Sequence, residues 1–119
     1  MSNPAVHHQI NYVEFTTPDV ARAKRFYNSV FGWSFQDYGA DYASFNSETA
    51  GLNGGFMRGE AQPAKGVPLV VIYSKDLSAT EAAVKAAGGG IAVPTFEFPG
   101  GRRFHFNDGL GNVLAVWSE

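Results

Sequence analysis

The sequence contains no cysteine, which excludes disulfides, thiolate catalysis and zinc–thiolate centres outright. It also lacks a basic surplus: the formal net charge is −2. The basic pair Arg102-Arg103 has no aromatic-interleaved basic strip around it, so nucleic acid is not an expected partner. The longest apolar run, Val67 to Tyr73, falls far short of the roughly 20 residues a membrane span needs. MSNPAVHHQI at the N-terminus shows no basic-then-apolar export pattern. These absences lead to the expectation of a cytoplasmic protein without membrane contact. Missing as well are a G-x-G-x-x-G after a strand, a Walker lysine, an H-E-x-x-H and a nucleophile elbow. At 119 residues the chain reads as one domain that buries about two-thirds of its unfolded surface.

What is present is organised around Ile10 to Trp33. Apolar Val13 and Phe15 alternate with Tyr12 and Glu14, the mark of a strand with two different faces. Thr17-Pro18-Asp19 is a helix-start signal, in which Thr or Asp can cap and Pro suits the first helical position. Val20, Ala23, Tyr27, Val30 and Phe31 then recur at helical spacing. Gly32 ends the helix, and Trp33-Ser34-Phe35 begins another strand.

Shifted by 57 residues, the pattern returns. Leu69 to Tyr73 is the strand, Asp76 matches Asp19, Gly89 matches Gly32, and Leu77, Thr80, Val84 and Ala87 trace the helical stripe. One doubling of this length implies a paired fold rather than a solenoid. The first module, about 6–58, reads as strand Val6 to Thr16 and helix Pro18 to Phe31. Strands Ser34 to Tyr38, Tyr42 to Asn46 and Leu52 to Arg58 complete it, joined by turns. Residues 1–5 read as a loose tail and the polar, proline-containing stretch 59–68 as a linker. The second module, 69–119, reads as strand Leu69 to Ser74 and helix Leu77 to Ala87. After them come strands near Ile91 to Val93 with Phe96 to Phe98, then Arg103 to Asn107 and Val113 to Trp117. The fold class is α+β, with two tandem βαβββ modules.

The motif formed by Asp19, Ala23, Phe26, Tyr27, Phe31, Gly32 and Trp33 resembles the first module of the vicinal oxygen chelate superfamily. That superfamily includes glyoxalase I, bleomycin-resistance proteins and extradiol dioxygenases. The turn Asp108-Gly109-Leu110-Gly111-Asn112 is similar to the D-P-x-G-N turn of its closing hairpin. The resemblance implies curled sheets forming a shared cleft, helices on the outer faces, a small-molecule ligand and a homodimer. It also implies a divalent metal held by His, Glu or Gln on four strands. Counting from the motifs, those positions fall on Tyr12, Leu69, Ala115 and the stretch Asn53 to Phe56. None offers a carboxylate or imidazole, so no metal or other cofactor is expected.

Alternation places Val13, Phe15, Val70 and Ile72 under the helices. It leaves Ile10, Tyr12, Glu14, Leu69, Val71 and Tyr73 toward the cleft, with Arg103, His105 and Asn107 opposite Phe104 and Phe106. The expected substrate-binding residues are Tyr12, Tyr73, Arg103 and Trp117, aromatics with polar tips plus one cation. The candidate catalytic residues are Glu14 and His105. Glu14 is either one half of a structural ion pair, with Arg103 as a possible partner, or a ligand-facing group. His105 is either hydrogen-bonded to a neighbouring strand or a proton donor and acceptor at the cleft wall. His7 and His8, adjacent in a strand, would point to opposite faces. The reading favoured is a small-molecule binder lacking the usual metal, or a metal-free lyase or isomerase. The alternatives are a metal-dependent lyase or dioxygenase and a non-catalytic interaction module.

Overall fold

The computed structural model describes residues 6–8, 10–59 and 69–119. The expected tail, residues 1–5, and the linker from 60 to 68 lie outside the described residues. The chain divides into two compact units, Met1–Ala61 and Gln62–Glu119.

In the first unit, strand β1 (Val13–Thr17) leads into helix α1 (Val20–Phe31), followed by β2 (Phe35–Asp37) and β3 (Tyr42–Phe45). A one-turn helix α2 (Ser47–Ala50) and strand β4 (Gly54–Arg58) complete it. The sheet order is β1-β4-β3-β2, with β1 parallel to β4 and the other pairs antiparallel. Asp19 is the N-cap of α1: its carboxylate accepts the Arg22 backbone N–H at 3.0 Å. Pro18 therefore precedes the cap rather than opening the helix. Gly32 ends α1 with φ 76°, a left-handed conformation that costs glycine nothing. Phe26 joins Val20, Ala23 and Tyr27 in the buried stripe. Tyr27 stacks on Trp33 and meets Phe56, both with centroids 5.0 Å away. Phe15 stacks on Phe56 at 5.2 Å, so Phe15 faces the helix as its alternation requires.

Three features of the first unit depart furthest from the sequence reading. β1 begins at Val13, not Val6, because its partner β4 is only five residues long and pairing ends where the partner ends. The stretch read as a turn after β3 contains α2, capped by the Asn46 side chain, which accepts from the Glu48 backbone N–H at 3.0 Å. His7 and His8 lie in a turn rather than a strand. His8 has φ 65°, and the two rings stack at 3.8 Å instead of pointing apart.

The second unit repeats the plan. β5 (Val71–Tyr73), α3 (Leu77–Ala86), β6 (Gly90–Phe98), β7 (Gly101–Asn107) and β8 (Val113–Ser118) form a sheet of order β5-β8-β7-β6. Asp76 caps α3 as Asp19 caps α1, accepting from the Ala79 backbone N–H at 3.1 Å. Leu77 and Val84 of α3 are buried, as are Phe104, Phe106, Leu114 and Val116 of the sheet. The two strands expected around Pro94 are one edge strand, β6, with register shifts between Ile91 and Val93 and between Val93 and Phe96. Proline lacks the N–H a continuous ladder needs, and an edge strand with a bulge is where that loss is tolerated. Asp108 holds the closing turn, accepting from the backbone N–H of Leu110 at 2.8 Å and of Asn112 at 3.1 Å. No helix among the described residues is long and apolar enough to cross a membrane.

Gly54 is required by close approach. A Cβ there would collide with the backbone oxygen of Val13 and the Phe45 ring. Forced overpacking of this kind typically costs about 1–3 kcal/mol, and a backbone obstacle cannot rotate away. Gly54→Ala should therefore lower stability by about 2 kcal/mol or more in urea denaturation. A variant within about 0.5 kcal/mol of the native protein, the range typical of surface substitutions, would contradict this packing.

Candidate functional site

On the helix-free face of the second sheet, strand register assembles one transverse row. Tyr73 pairs with Trp117, Trp117 with Arg103, and Arg103 with Phe96. The next row is Val71, Ala115, His105 and Val93. Side chains alternate along each strand, so both rows project from the face opposite the Phe104 and Phe106 core. Val71, Phe98, Arg103 and Trp117 line an open pocket of about 240 Å³. The Tyr73 and Trp117 rings meet edge to face at 5.1 Å, and Phe98 lies 6.3 Å from Trp117.

Arg103 is the charged group of this pocket. Its Cζ lies 5.2 Å from the Phe96 ring centre and 5.6 Å from that of Phe98, within cation–π range. Its Nε is buried without a hydrogen-bond partner, and among the described residues no carboxylate pairs with it. Glu97 sits opposite Arg102 in the register, one residue along and so on the other face. Glu119 accepts the Tyr73 hydroxyl at 2.5 Å, a bond that pushes the Tyr73 pKa up.

His105 is half-buried, with its Nε2 enclosed and unpartnered. Its hydrogen-bonded alternative is thus not realised at that nitrogen. Burial, then the positive charge of Arg103, pushes its pKa below the ordinary value of 6.5, which favours the neutral imidazole at pH 7. The Phe96 ring lies 5.9 Å from its own.

The first sheet's helix-free face carries different chemistry. Glu14 is exposed rather than buried, because its register partner is Gly55, which has no side chain to cover it. Its partner is the Tyr42 hydroxyl, which donates to Glu14 Oε1 at 3.0 Å. Tyr42 also hydrogen-bonds the Tyr12 hydroxyl. With one proton to give, Tyr42 spends it on the carboxylate, so Tyr12 is the donor in the second bond. Burial, then these hydrogen bonds, raises the Tyr42 pKa well above the ordinary tyrosine range. A Cβ on Gly55 would strike the Tyr42 ring. Sequence reasoning missed Tyr42, although the Gly54-Gly55 pair inside a strand was a signal that something approaches closely. It also missed Phe96, which pairs with Arg103 across the ladder, and Phe98. Of the six expected site residues, the second unit brings Tyr73, Arg103, Trp117 and His105 onto one face. The first joins Tyr12 to Glu14 through Tyr42.

A family model described as the Glyoxalase/Bleomycin resistance protein/Dioxygenase superfamily matches residues 9–116. The chain belongs to this superfamily. CFP32 of Mycobacterium bovis and its counterpart in Mycobacterium tuberculosis, whose name assigns them provisionally to the glyoxylases, are each 29% identical over 115 residues. The match takes in 90% of this chain but only 44% of those proteins, so the chain spans less than half their length. Among solved structures, the fosfomycin resistance protein FosX of Listeria monocytogenes superposes with TM-score 0.79 at 15% identity, covering 96% of this chain and 93% of that one. A glyoxalase/bleomycin resistance protein/dioxygenase family enzyme from Burkholderia phytofirmans gives TM-score 0.73 at 18% identity, covering 91% and 96%. Identities this low carry the fold alone.

The metal that the superfamily implies can be tested against the donors present. In the second sheet Ala115 pairs with Val71, and in the first Gly55 pairs with Glu14 at the corresponding place. With Tyr12 and Leu69, the four expected positions thus offer one phenol, two aliphatic side chains and a glycine. Among the described residues no group of three or more His, Asp or Glu side chains could hold a metal ion. The residues do not fit the group.

The pKa of His105 has a consequence for stability. A histidine whose folded pKa lies below its unfolded value is protonated first in the unfolded chain. Stability should therefore fall as pH drops below the ordinary value of 6.5, and level off below the depressed folded value. His105→Gln, neutral throughout, should flatten this acid-side loss in denaturation curves taken between about pH 7.5 and 4.5. Parallel pH profiles for the two proteins would remove the desolvation reading.

Proposed function

We propose that the protein binds a small organic molecule on the helix-free face of its second sheet, without a metal at the superfamily's positions. The observation that carries this reading is the pocket between Val71, Phe98 and Trp117 with Arg103 in its wall. An apolar, aromatic lining with one charged group to fix orientation is how small-molecule sites are built. Tyr73 and Trp117 supply contact area, and Arg103 supplies orientation. Tyr12 and Glu14, with Tyr42, form a second polar group on the first sheet, suited to hydrogen-bonding a ligand there.

A metal-free lyase or isomerase is the second reading, favoured by His105. A neutral imidazole with an unpartnered nitrogen is in the form that can accept a proton from a bound ligand. The binder leaves its ligand unchanged, whereas the enzyme consumes it and loses turnover on His105→Gln.

We also expect a homodimer. β6 is an edge strand whose Val93 and Phe96 are exposed, and such edges are commonly covered by a partner. Light scattering at high micromolar concentration checks this, and a monomer mass would refute it.

The binding reading is tested by thermal shift against a library of small aromatic and aliphatic compounds. A compound at 100 times its dissociation constant should add about 2.7 kcal/mol, which raises the midpoint of a domain this size by about 10 °C. Trp117→Ala should abolish most of that shift. A shift that survives Trp117→Ala intact would move the site elsewhere.

A further inference from the structure

We propose that the molecule held in this pocket is an organic anion with a flat apolar body, its acid group paired with the guanidinium of Arg103. The inference rests on the reading that the second sheet's helix-free face is the binding site, and it adds the chemical class of the ligand.

Three observations converge on it. The first is charge. Arg103 is permanently cationic, and among the described residues it has neither a hydrogen bond nor an ion pair. Glu97 lies in β6 and Glu119 directly follows β8. Register places Glu97 beside Arg102, and the Tyr73 hydroxyl engages Glu119.

The second is partial desolvation. The Nε is enclosed, and the guanidinium lies against Phe96 and Phe98. Aromatic faces compensate a cation only in part, and a polar group removed from water without a partner is unfavourable. An incoming acid group repairs that deficit. It does so with charge-assisted hydrogen bonds, for which the planar guanidinium is better suited than an ammonium.

The third is the rest of the wall. Val71, Phe98 and Trp117 offer apolar contact and no further charge, which suits a ring or chain attached to the acid and gives nothing to a bare inorganic anion. An organic cation is disfavoured by the same arginine. His105 stands in the adjacent row and carries no negative charge in either protonation state.

The test uses the full chain and five probes: 2-naphthoate, 2-naphthyl phosphate, 2-naphthamide, 2-naphthylmethylamine and inorganic phosphate, each titrated by calorimetry. The carboxylate or the phosphate ester, or both, should bind at least about tenfold more tightly than the amide, the size expected of one charge-assisted hydrogen-bonded contact. Which acid binds more tightly distinguishes a carboxylate from a phosphate ligand. The amine and inorganic phosphate should bind more weakly still. The preference for acid over amide should shrink with added salt. It should fall to within about twofold in Arg103→Met, and Arg103→Lys should keep part of it. Because Arg103→Met removes an unpaired, partly desolvated charge, its ligand-free melting midpoint should match or exceed that of the native protein. If Arg103→Met fails to fold, Arg103→Lys and the salt dependence still decide. Equal affinity for naphthoate and naphthamide, lost in Trp117→Ala, would overturn the anion and leave the pocket standing. So would an acid preference that persists in Arg103→Met. Absence of binding by every probe, or binding that ignores Trp117→Ala, would overturn both the anion and the site beneath it.

Discussion

The packing of one helix onto one face of each sheet is the constraint on which the rest of this molecule depends. In the first unit it is an aromatic contact, Tyr27 of α1 seated between Trp33 and Phe56 with centroids 5.0 Å from each. Aromatic pairs of this kind contribute about 0.5–1.5 kcal/mol beyond the area they bury. In the second unit Leu77 and Val84 of α3 are buried with Phe104, Phe106, Leu114 and Val116 of the sheet. Once a helix claims one face, the two-residue period of every strand assigns the remaining side chains to the other. A shift of register by one residue would bring Arg103 and His105 into the core and expel Phe104 and Phe106.

Two copies of one scaffold therefore present two unlike surfaces. At the corresponding place in each sheet stand Glu14 beside Gly55 and Val71 beside Ala115. The first pair leaves a carboxylate exposed, with room for Tyr42 to reach it. The second pair is apolar and forms part of the floor over which Arg103 and Trp117 project. The two pairs together offer a single carboxylate, short of the set of ligands that a divalent ion requires. Superfamily membership settles the scaffold, while the residues on the helix-free faces govern the chemistry.

One titratable group of the second face, His105, is restrained from ionising by burial and then by Arg103. Arg103 cannot lose its proton, so the cost of placing a second positive charge nearby falls on His105, already disfavoured by burial. The resulting pair is a fixed cation beside a neutral imidazole.

Read alone, the chain determined a good deal. The 57-residue offset between Asp19 and Asp76 exposed the doubling, and both residues cap their helices. Alternation in β1 and β7 assigned Phe15, Phe104 and Phe106 to the helix side, because a period of two is a local property that survives in the residue order. Tyr73, Arg103 and Trp117 could be named as face residues for the same reason. What the residue order could not supply was pairing between strands. That Tyr73, Trp117, Arg103 and Phe96 form one row follows from the register of β5, β8, β7 and β6, set by long-range hydrogen bonds and by bulges around Pro94. The exposure of Glu14 and its bond from Tyr42 depend on Gly55 lying across the ladder. Strand faces are written into local sequence; neighbours across a sheet arise only when distant segments pair.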